Sequence, residues 1–153
     1  FMLYGPAYKG IPLAAATAAA LAEHYDRHVP FAFNRKELKD HGEGGQIVGA
    51  EITGRVVIID DVITAGTAVG EAVEIIKSAG AQPAALAIAL DREEVANEFG
   101  RSAVQDVRDR LGLKVHPIAR FSELIEYLRN TPHLSNQVGN LEAYRDRYGI
   151  VSE

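Results

Sequence analysis

Cysteine is absent from this chain of 153 residues. Disulfide bonds, thiolate metal ligands and a cysteine nucleophile are therefore excluded, and a reducing compartment is compatible with the composition. Two other enzyme signatures are also missing from the sequence. No G-x-x-x-x-G-K-[ST] segment occurs, which a Walker-type nucleotide site needs, and there is no nucleophile elbow with a Ser-His-Asp order. The sequence thus offers no support for a P-loop nucleotide enzyme or for covalent hydrolase chemistry.

Long hydrophobic runs and an excess of positive charge are also lacking. The longest apolar stretch, residues 11–22, is too short to span a bilayer, and no basic leader precedes it, so neither a membrane segment nor a signal peptide is expected. The formal net charge is −5, from 16 basic and 21 acidic residues. An acidic total argues against bulk binding of nucleic acid. A local basic patch could still hold an anionic ligand. A cytoplasmic protein is expected.

The order of predicted elements indicates one α/β domain over residues 1–153, with a mainly parallel sheet flanked by helices. The composition, 47% hydrophobic and 24% charged, suits a globular protein with an adequate core. Hydrophobic runs predict strands at residues 1–4, 31–34, 56–60, 83–90 and 114–118. Helical patterns are predicted at residues 12–25, from 69 to a left-handed cap at 80, and at 103–111, 121–129 and about 137–148.

Apolar spacing predicts which face two of these helices bury. The helix before Gly80 should turn four residues toward the core: Val69, Ala72, Val73 and Ile76. The corresponding face of the alanine-rich helix at 12–25 carries Ala14, Ala18, Leu21 and Tyr25.

Residues 56–68, VVIIDDVITAGTA, predict a ligand site. Residues 56–59 have no polar alternation, as in a fully buried parallel strand, and ligands of parallel sheets bind beyond the carboxyl ends of the strands. The loop with Thr64, Gly66 and Thr67 suits a phosphate, because small residues leave backbone N–H groups free at the positive end of the helix. Asp60 and Asp61 suit the hydroxyls of a sugar, so a phosphorylated ribose is the expected ligand. The alternative is that one aspartate only caps the helix.

Three further segments carry charges suited to anions, and each has a plain structural alternative. Loop 5–10 offers backbone N–H groups and Lys9 to a diphosphate, although Gly-Pro turns are common. Residues 35–45 combine three cations and an imidazole with glycine hinges; they form either a solvated surface loop or a loop that closes over an anion. Arg92 follows a predicted buried strand, and its guanidinium suits a planar carboxylate as well as a surface salt bridge.

Three of these segments resemble those of a known family. Residues 56–68 resemble the 5-phosphoribosyl 1-diphosphate (PRPP) binding motif of type I phosphoribosyltransferases. Residues 5–15, GPAYKGIPLAA, and 34–45, NRKELKDHGEGG, are similar to segments of the orotate phosphoribosyltransferases within that superfamily. The resemblance extends along essentially the whole chain. It implies a type I phosphoribosyltransferase fold with a mobile catalytic loop after the second strand.

The same resemblance implies roles for individual residues. The expected PRPP-binding residues are Tyr8, Lys9, Arg35, Lys36, Lys39, His41, Asp60, Asp61, Val62, Ile63, Thr64, Ala65, Gly66, Thr67 and Ala68. Four of them are expected to be catalytic: Lys39, His41, Asp60 and Asp61. Thr64 and Arg92 are expected to bind orotate. A Mg²⁺ ion would be held mainly by substrate and water, with no direct protein ligand.

The implied reaction is transfer of the phosphoribosyl group from PRPP to orotate in pyrimidine synthesis. The resemblance further implies a homodimer in which loop 35–45 reaches the neighbouring subunit's site. Since the chain opens inside a strand-like run, an N-terminal segment that helps to cover the base in this family is expected to be missing. Two alternatives remain open. The first is a purine-base phosphoribosyltransferase, which would not need loop 35–45. The second is a non-catalytic PRPP-sensing regulator, which would need a nucleic-acid-binding surface.

Overall fold

The computed structural model describes residues 1–36, 46–97 and 100–150. In chain order its elements are β1 (Met2–Gly5), α1 (Gly10–Tyr25), β2 (Phe31–Asn34), β3 (Ile47–Gly49), β4 (Arg55–Asp60), α2 (Thr67–Ser78), β5 (Gln82–Asp91), α3 (Ala103–Leu111), β6 (Lys114–Arg120), α4 (Phe121–Arg129) and α5 (Val138–Tyr148), with a 3₁₀ turn at Ser135–Gln137. No helix in these three ranges is both long enough and apolar enough to cross a membrane.

The strands form one sheet in the order β3-β2-β1-β4-β5-β6. All neighbouring strands from β2 to β6 pair in parallel, which confirms the predicted mainly parallel sheet. The edge strand β3 pairs antiparallel with β2. The sequence patterns do not predict β3, because it has only three residues and depends on β2 for its pairing. The predicted catalytic loop lies mostly at residues 37–45, outside the described residues.

Helices α1 and α2 cover opposite faces of the sheet. Met2 and Tyr4 of β1 belong to the buried cluster that also contains the core face of α2. Gly5, in the opposite alternation, packs on the other side, where an added Cβ would lie 3.0 Å from the Cβ of Ala14 in α1. Because successive strand residues point to opposite faces, the two helices must lie on different sides. The central strands are therefore covered on both faces.

The core face predicted for α2 is confirmed. Its buried residues are Val69, Ala72, Val73 and Ile76. They lie in one cluster with Ile58 of β4, Leu86 and Ile88 of β5, and Val107 of α3. Complete burial of each large aliphatic side chain contributes about 1.5–3 kcal/mol. Gly80, just beyond the helix, has φ +75°, which confirms the predicted left-handed cap.

The prediction for α1 is wrong at its last residue. Ala14 is fully buried, but the side chain of Tyr25 is 70% exposed. The helix ends at Tyr25, and Asp26 follows in the left-handed conformation with φ 51°. Helical spacing alone therefore overestimates the burial of Tyr25.

The sheet brings three loops to one edge. β1, β4 and β5 are adjacent and parallel, and they end at Gly5, Asp60 and Asp91. The segments that follow them carry Tyr8 and Lys9, the acidic doublet with the phosphate loop, and Arg92. Because carboxyl ends of parallel strands meet at the same edge, the fold places these predicted site residues near one another.

Candidate active site

The loop before α2 presents free backbone groups to a ligand. Gly66, with φ 69°, precedes the helix, and no side chain caps the helix start. The first turn contains no acidic residue, so no carboxylate competes for the N–H groups of residues 67–69 there. The helix dipole adds positive potential at the same place. This arrangement can hold the terminal phosphate of a sugar phosphate.

The acidic doublet lies beside this loop and is tied to the loop after β1. Lys9 Nζ lies 2.7 Å from Asp61 Oδ2, and the backbone N–H of Asp61 donates to Asp60 Oδ1 over 2.9 Å. The Asp61 carbonyl accepts hydrogen bonds from the backbone N–H groups of Ala89 and Leu90 in β5. The backbone at the doublet is therefore fixed against the neighbouring strand, and one of its carboxylates has a cationic partner.

The two carboxyls of the doublet have opposite pKa shifts. Burial is the main cause that raises the pKa of Asp60 above its ordinary value. Burial would also raise the pKa of Asp61, but the hydrogen bond from Lys9, the backbone N–H of Val62 and the charge of Lys9 outweigh it and lower that pKa. The hydrogen bond and charge of Asp61 in turn raise the pKa of Lys9. Asp60 is thus the carboxyl that becomes protonated first as the pH falls.

Cationic and aromatic groups predicted for the diphosphate lie around the doublet. Tyr8 and Lys9 are exposed, and Lys36 Nζ lies 5.1 Å from the centroid of the Tyr8 ring. Arg35 follows β2, and its backbone N–H donates to the carbonyl of Gln46 over 2.8 Å. Two other predicted residues of this group, Lys39 and His41, lie outside the described residues.

The buried residue Asn34 links these loops, and sequence reasoning assigned it no role. Its side-chain oxygen accepts a hydrogen bond of 3.1 Å from the backbone N–H of Ala7. Ala7 precedes Tyr8, and the peptide bond between them is cis. Asn34 therefore holds the Tyr8–Lys9 turn against the end of β2, where the charged segment begins.

Two cavities adjoin the phosphate loop. The cavity on the doublet side, of about 260 Å³, is lined by Lys36, Asp60, Thr67 and Glu71 among others. The cavity on the other side, of about 180 Å³, is lined by residues that include Asp91 and Arg92. Ile63 and Thr64 line both cavities. Several of the expected PRPP residues and both expected orotate residues, Thr64 and Arg92, thus line two neighbouring cavities that share Ile63 and Thr64.

Arg92 has both a partner and an unused donor. Its Nη2 lies 3.0 Å from Glu94 Oε2. Its Nε is buried and has no hydrogen-bond partner within residues 1–36, 46–97 and 100–150. A buried donor without an acceptor is costly, so a ligand oxygen at this position would satisfy it. Glu94 could not be identified from the sequence, because its position two residues after Arg92 does not show that the two side chains are in contact.

Known proteins resemble this chain along most of its length. The family described as "Phosphoribosyl transferase domain" matches residues 1–98. A protein named orotate phosphoribosyltransferase from Thioalkalivibrio sulfidiphilus (strain HL-EbGR7) is 58% identical over 97% of this chain and 70% of its own length. One of the same name from Methylococcus capsulatus (strain ATCC 33009 / NCIMB 11132 / Bath) is 58% identical over 98% of this chain and 70% of its own.

A solved structure extends the agreement to the fold. The crystal structure of orotate phosphoribosyltransferase from Francisella tularensis superposes with a TM-score of 0.81 at 37% identity, and the match covers 97% of this chain and 70% of that one. Sequence identity, coverage and fold all agree with the predicted resemblance. This chain belongs to the orotate phosphoribosyltransferase family.

Proposed function

We propose that this chain transfers the phosphoribosyl group of PRPP to orotate, with PRPP in the cavity beside the doublet and orotate in the cavity beside Arg92. The observation that carries this assignment is that Ile63 and Thr64 line both cavities. Two ligands bound in these cavities would therefore lie next to each other. The products are orotidine 5′-monophosphate and diphosphate. The relatives that match most of the chain are named for orotate, which disfavours the purine-base and regulatory alternatives.

The PRPP cavity offers a different group to each part of the substrate. The loop at residues 62–68, with the free N–H groups of residues 67–69 at the helix start, suits the terminal phosphate, and Asp60 and Asp61 suit the ribose hydroxyls. Tyr8, Lys9, Arg35 and Lys36, with Lys39 and His41, are assigned to the diphosphate. Lys9 Nζ lies 2.7 Å from Asp61 Oδ2 and neutralises that carboxylate. Because Lys9 is largely exposed, it can turn to the diphosphate and release Asp61 to the ribose.

Catalysis then depends mainly on charge placement. The bond between the anomeric carbon and diphosphate breaks, diphosphate leaves with the electron pair, and the new bond forms to N1 of orotate, which loses its proton. The anomeric carbon becomes cation-like as this occurs. Carboxylates at Asp60 and Asp61 favour that positive charge, and the cations favour the departing diphosphate. Both groups act more strongly in the transition state than in the ground state, which is the condition for raising kcat.

Mg²⁺ fits this site as an ion that enters with the substrate. Residues 1–36, 46–97 and 100–150 contain no group of three or more His, Cys, Asp or Glu side chains that could hold a metal ion. Asp60 lines the PRPP cavity with carboxylate oxygens, the donors that Mg²⁺ prefers, and Asp61 is the next residue in the chain. The ion would be held mainly by substrate and water, beside the doublet. When bound, it would neutralise charge on the diphosphate.

We also propose a homodimer in which residues 35–45 of one subunit reach the site of the other, and a cytoplasmic location. Support for a role of this loop at the diphosphate comes from its position, and its exchange between subunits rests on the family resemblance. Arg35 and Lys36 start at the site edge, directly after β2, and three cations with an imidazole follow the strand. Closure of such a charged loop would bring cations to the leaving group and exclude water.

Replacement of Arg92 tests the assignment of the orotate cavity. The loss of a charge-assisted hydrogen bond costs about 1.5–3 kcal/mol, so Arg92→Ala should raise KM for orotate about 10- to 150-fold. KM for PRPP should stay within about twofold, because PRPP is assigned to the other cavity. Initial rates at varied orotate and at varied PRPP measure both quantities. An equal loss for the two substrates would contradict the assignment and place Arg92 in a structural role.

A further inference from the structure

The segment after Arg92 is held by the C-terminal helices through its backbone. The backbone N–H of Val95 donates to the carbonyl of Tyr148 over 2.9 Å. The backbone N–H of Ile150 donates to the carbonyl of Glu93, also over 2.9 Å. The Glu93 carboxylate in addition accepts hydrogen bonds from the backbone N–H and the hydroxyl of Ser122, at the start of α4. Residues 93–95 are therefore fixed to the C-terminal part of the chain. Glu94 and Tyr144, for example, are 50 residues apart in the sequence.

A chain of side chains runs from the same helices to Arg92. The Tyr144 hydroxyl of α5 donates to Glu94 Oε1 over 2.6 Å. The other carboxylate oxygen of Glu94, Oε2, forms an ion pair with Arg92, 3.0 Å from Nη2. One carboxylate thus divides its two oxygens between the tyrosine and the arginine. The hydrogen bond to Glu94 raises the pKa of Tyr144 above its ordinary value, so the phenol remains a donor at neutral pH.

The ring that carries the Tyr144 hydroxyl packs against two other aromatic rings. The ring centroid lies 5.7 Å from that of Phe121 and 4.8 Å from that of Tyr148, both in tilted contacts. Such pairs hold an aromatic ring in one orientation. Tyr144 can therefore fix Glu94, and Glu94 can fix one end of the Arg92 guanidinium before any ligand arrives. An arginine that is fixed before binding loses less conformational entropy when it pairs with a carboxylate.

We propose that Glu94 and Tyr144 are positioning residues for Arg92, so that helix α5 contributes to the selection of a base that bears a carboxylate. This inference rests on the proposed function, in which Arg92 binds the carboxylate of orotate. Neither positioning residue needs to contact the ligand. Their effect should appear only with ligands that carry the carboxylate, since other ligands do not use the guanidinium.

The test compares two nucleotides that differ in this one group. Orotidine 5′-monophosphate carries the carboxylate, and uridine 5′-monophosphate lacks it. Tyr144→Phe removes only the hydroxyl and should weaken binding of orotidine 5′-monophosphate about two- to tenfold, as expected for one hydrogen bond. Binding of uridine 5′-monophosphate should not change. In kinetics, KM for orotate should rise while kcat and KM for PRPP stay near wild type.

Tyr148→Phe is the matched control. It removes a hydroxyl one turn along the same helix and keeps the ring that packs on Tyr144. Both nucleotides should bind this variant as they bind wild type. If Tyr144→Phe and Tyr148→Phe have the same effect, or if Tyr144→Phe weakens both nucleotides equally, the positioning role is overturned.

Glu94→Gln separates positioning from competition. If Glu94 positions Arg92, the loss of its charge should weaken orotidine 5′-monophosphate and leave uridine 5′-monophosphate unchanged. If Glu94 instead competes with the ligand carboxylate for Arg92, the affinity for orotidine 5′-monophosphate should rise, and the inference is overturned.

Arg92→Ala distinguishes a failure of the positioning inference from a failure of the proposed function. This variant should lose most of the preference for the nucleotide with the carboxylate. If it does, while Tyr144→Phe and Glu94→Gln keep the preference, only the positioning inference fails. If Arg92→Ala keeps the preference, the role proposed for Arg92 fails as well.

Discussion

Gly66 and Gly80 flank the same helix, and alanine at each position should have different consequences. Both glycines have positive φ, +69° and +75°, so alanine adds the same left-handed backbone cost of about 1–2 kcal/mol at either site. At Gly80 nothing lies within 4 Å of an added Cβ. Gly80→Ala should therefore reduce the free energy of unfolding by that backbone cost alone.

At Gly66 an added Cβ meets the core. It would lie 3.0 Å from Cγ2 of Val107 and 3.2 Å from Nη2 of Arg110. The arginine end can move aside, but Val107 is fully buried in the main cluster and cannot move freely. Overpacking of a core costs about 1–3 kcal/mol, so Gly66→Ala should cost about 2–5 kcal/mol in total. The displaced loop should also raise KM for PRPP.

Urea denaturation of both variants, together with PRPP kinetics, measures this difference. Gly66→Ala should be less stable than Gly80→Ala by about 1–3 kcal/mol, and only Gly66→Ala should bind PRPP more weakly. Equal stability of the two variants would refute the steric argument at Val107. Normal PRPP kinetics in a destabilised Gly66→Ala would separate this loop from the phosphate site.

Further predictions concern the doublet and the shared loop. Asp60→Asn or Asp61→Asn should reduce kcat roughly 10²-fold or more with a smaller change in KM, measured by steady-state kinetics; normal turnover would remove both from the chemistry. Because the folded-state pKa of Asp60 is raised, wild type should lose stability relative to Asp60→Asn as the pH rises from the ordinary value of 3.8 through that pKa. The pKa of Asp61 is lowered, so wild type should lose stability relative to Asp61→Asn as the pH falls from 3.8 through that lowered pKa. Denaturation across pH measures both stability differences, and the same pH trend for the two variants would contradict the opposite shifts. Lys39→Ala mixed equally with Asp60→Asn should regain about a quarter of wild-type activity, since about half the dimers then have one intact site; no recovery would refute loop exchange.

Much of the fold could be predicted because its signals are local. The unbroken hydrophobic run at residues 56–59 and the apolar spacing from Val69 to Ile76 are sufficient for β4 and the buried face of α2. Tyr25 and β3 show the limits of such signals. Helical spacing does not tell where the sheet beneath the helix ends, and a three-residue edge strand depends on pairing that the sequence does not display.

The residues of the candidate site also differ in whether local sequence signals predict them. Asp60, Asp61 and Arg92 could be predicted to lie near one edge, since each follows a buried parallel strand. Asn34 and Tyr144 could not, because their partners are 27 and 50 residues away along the chain. Tyr144 and Tyr148 pack on each other one helical turn apart, but this spacing carries no sign of the hydrogen bond from Tyr144 to Glu94.

Base selectivity in the transfer reaction tests the central claim most directly. The purified protein is given PRPP and Mg²⁺ with orotate, uracil or hypoxanthine at equal concentrations, and formation of each nucleotide is measured over time. Orotate should be converted to orotidine 5′-monophosphate with release of one diphosphate per nucleotide, and the other two bases should remain unchanged because neither offers a carboxylate to Arg92. Conversion of hypoxanthine or uracil at a rate equal to or above that of orotate would contradict the account.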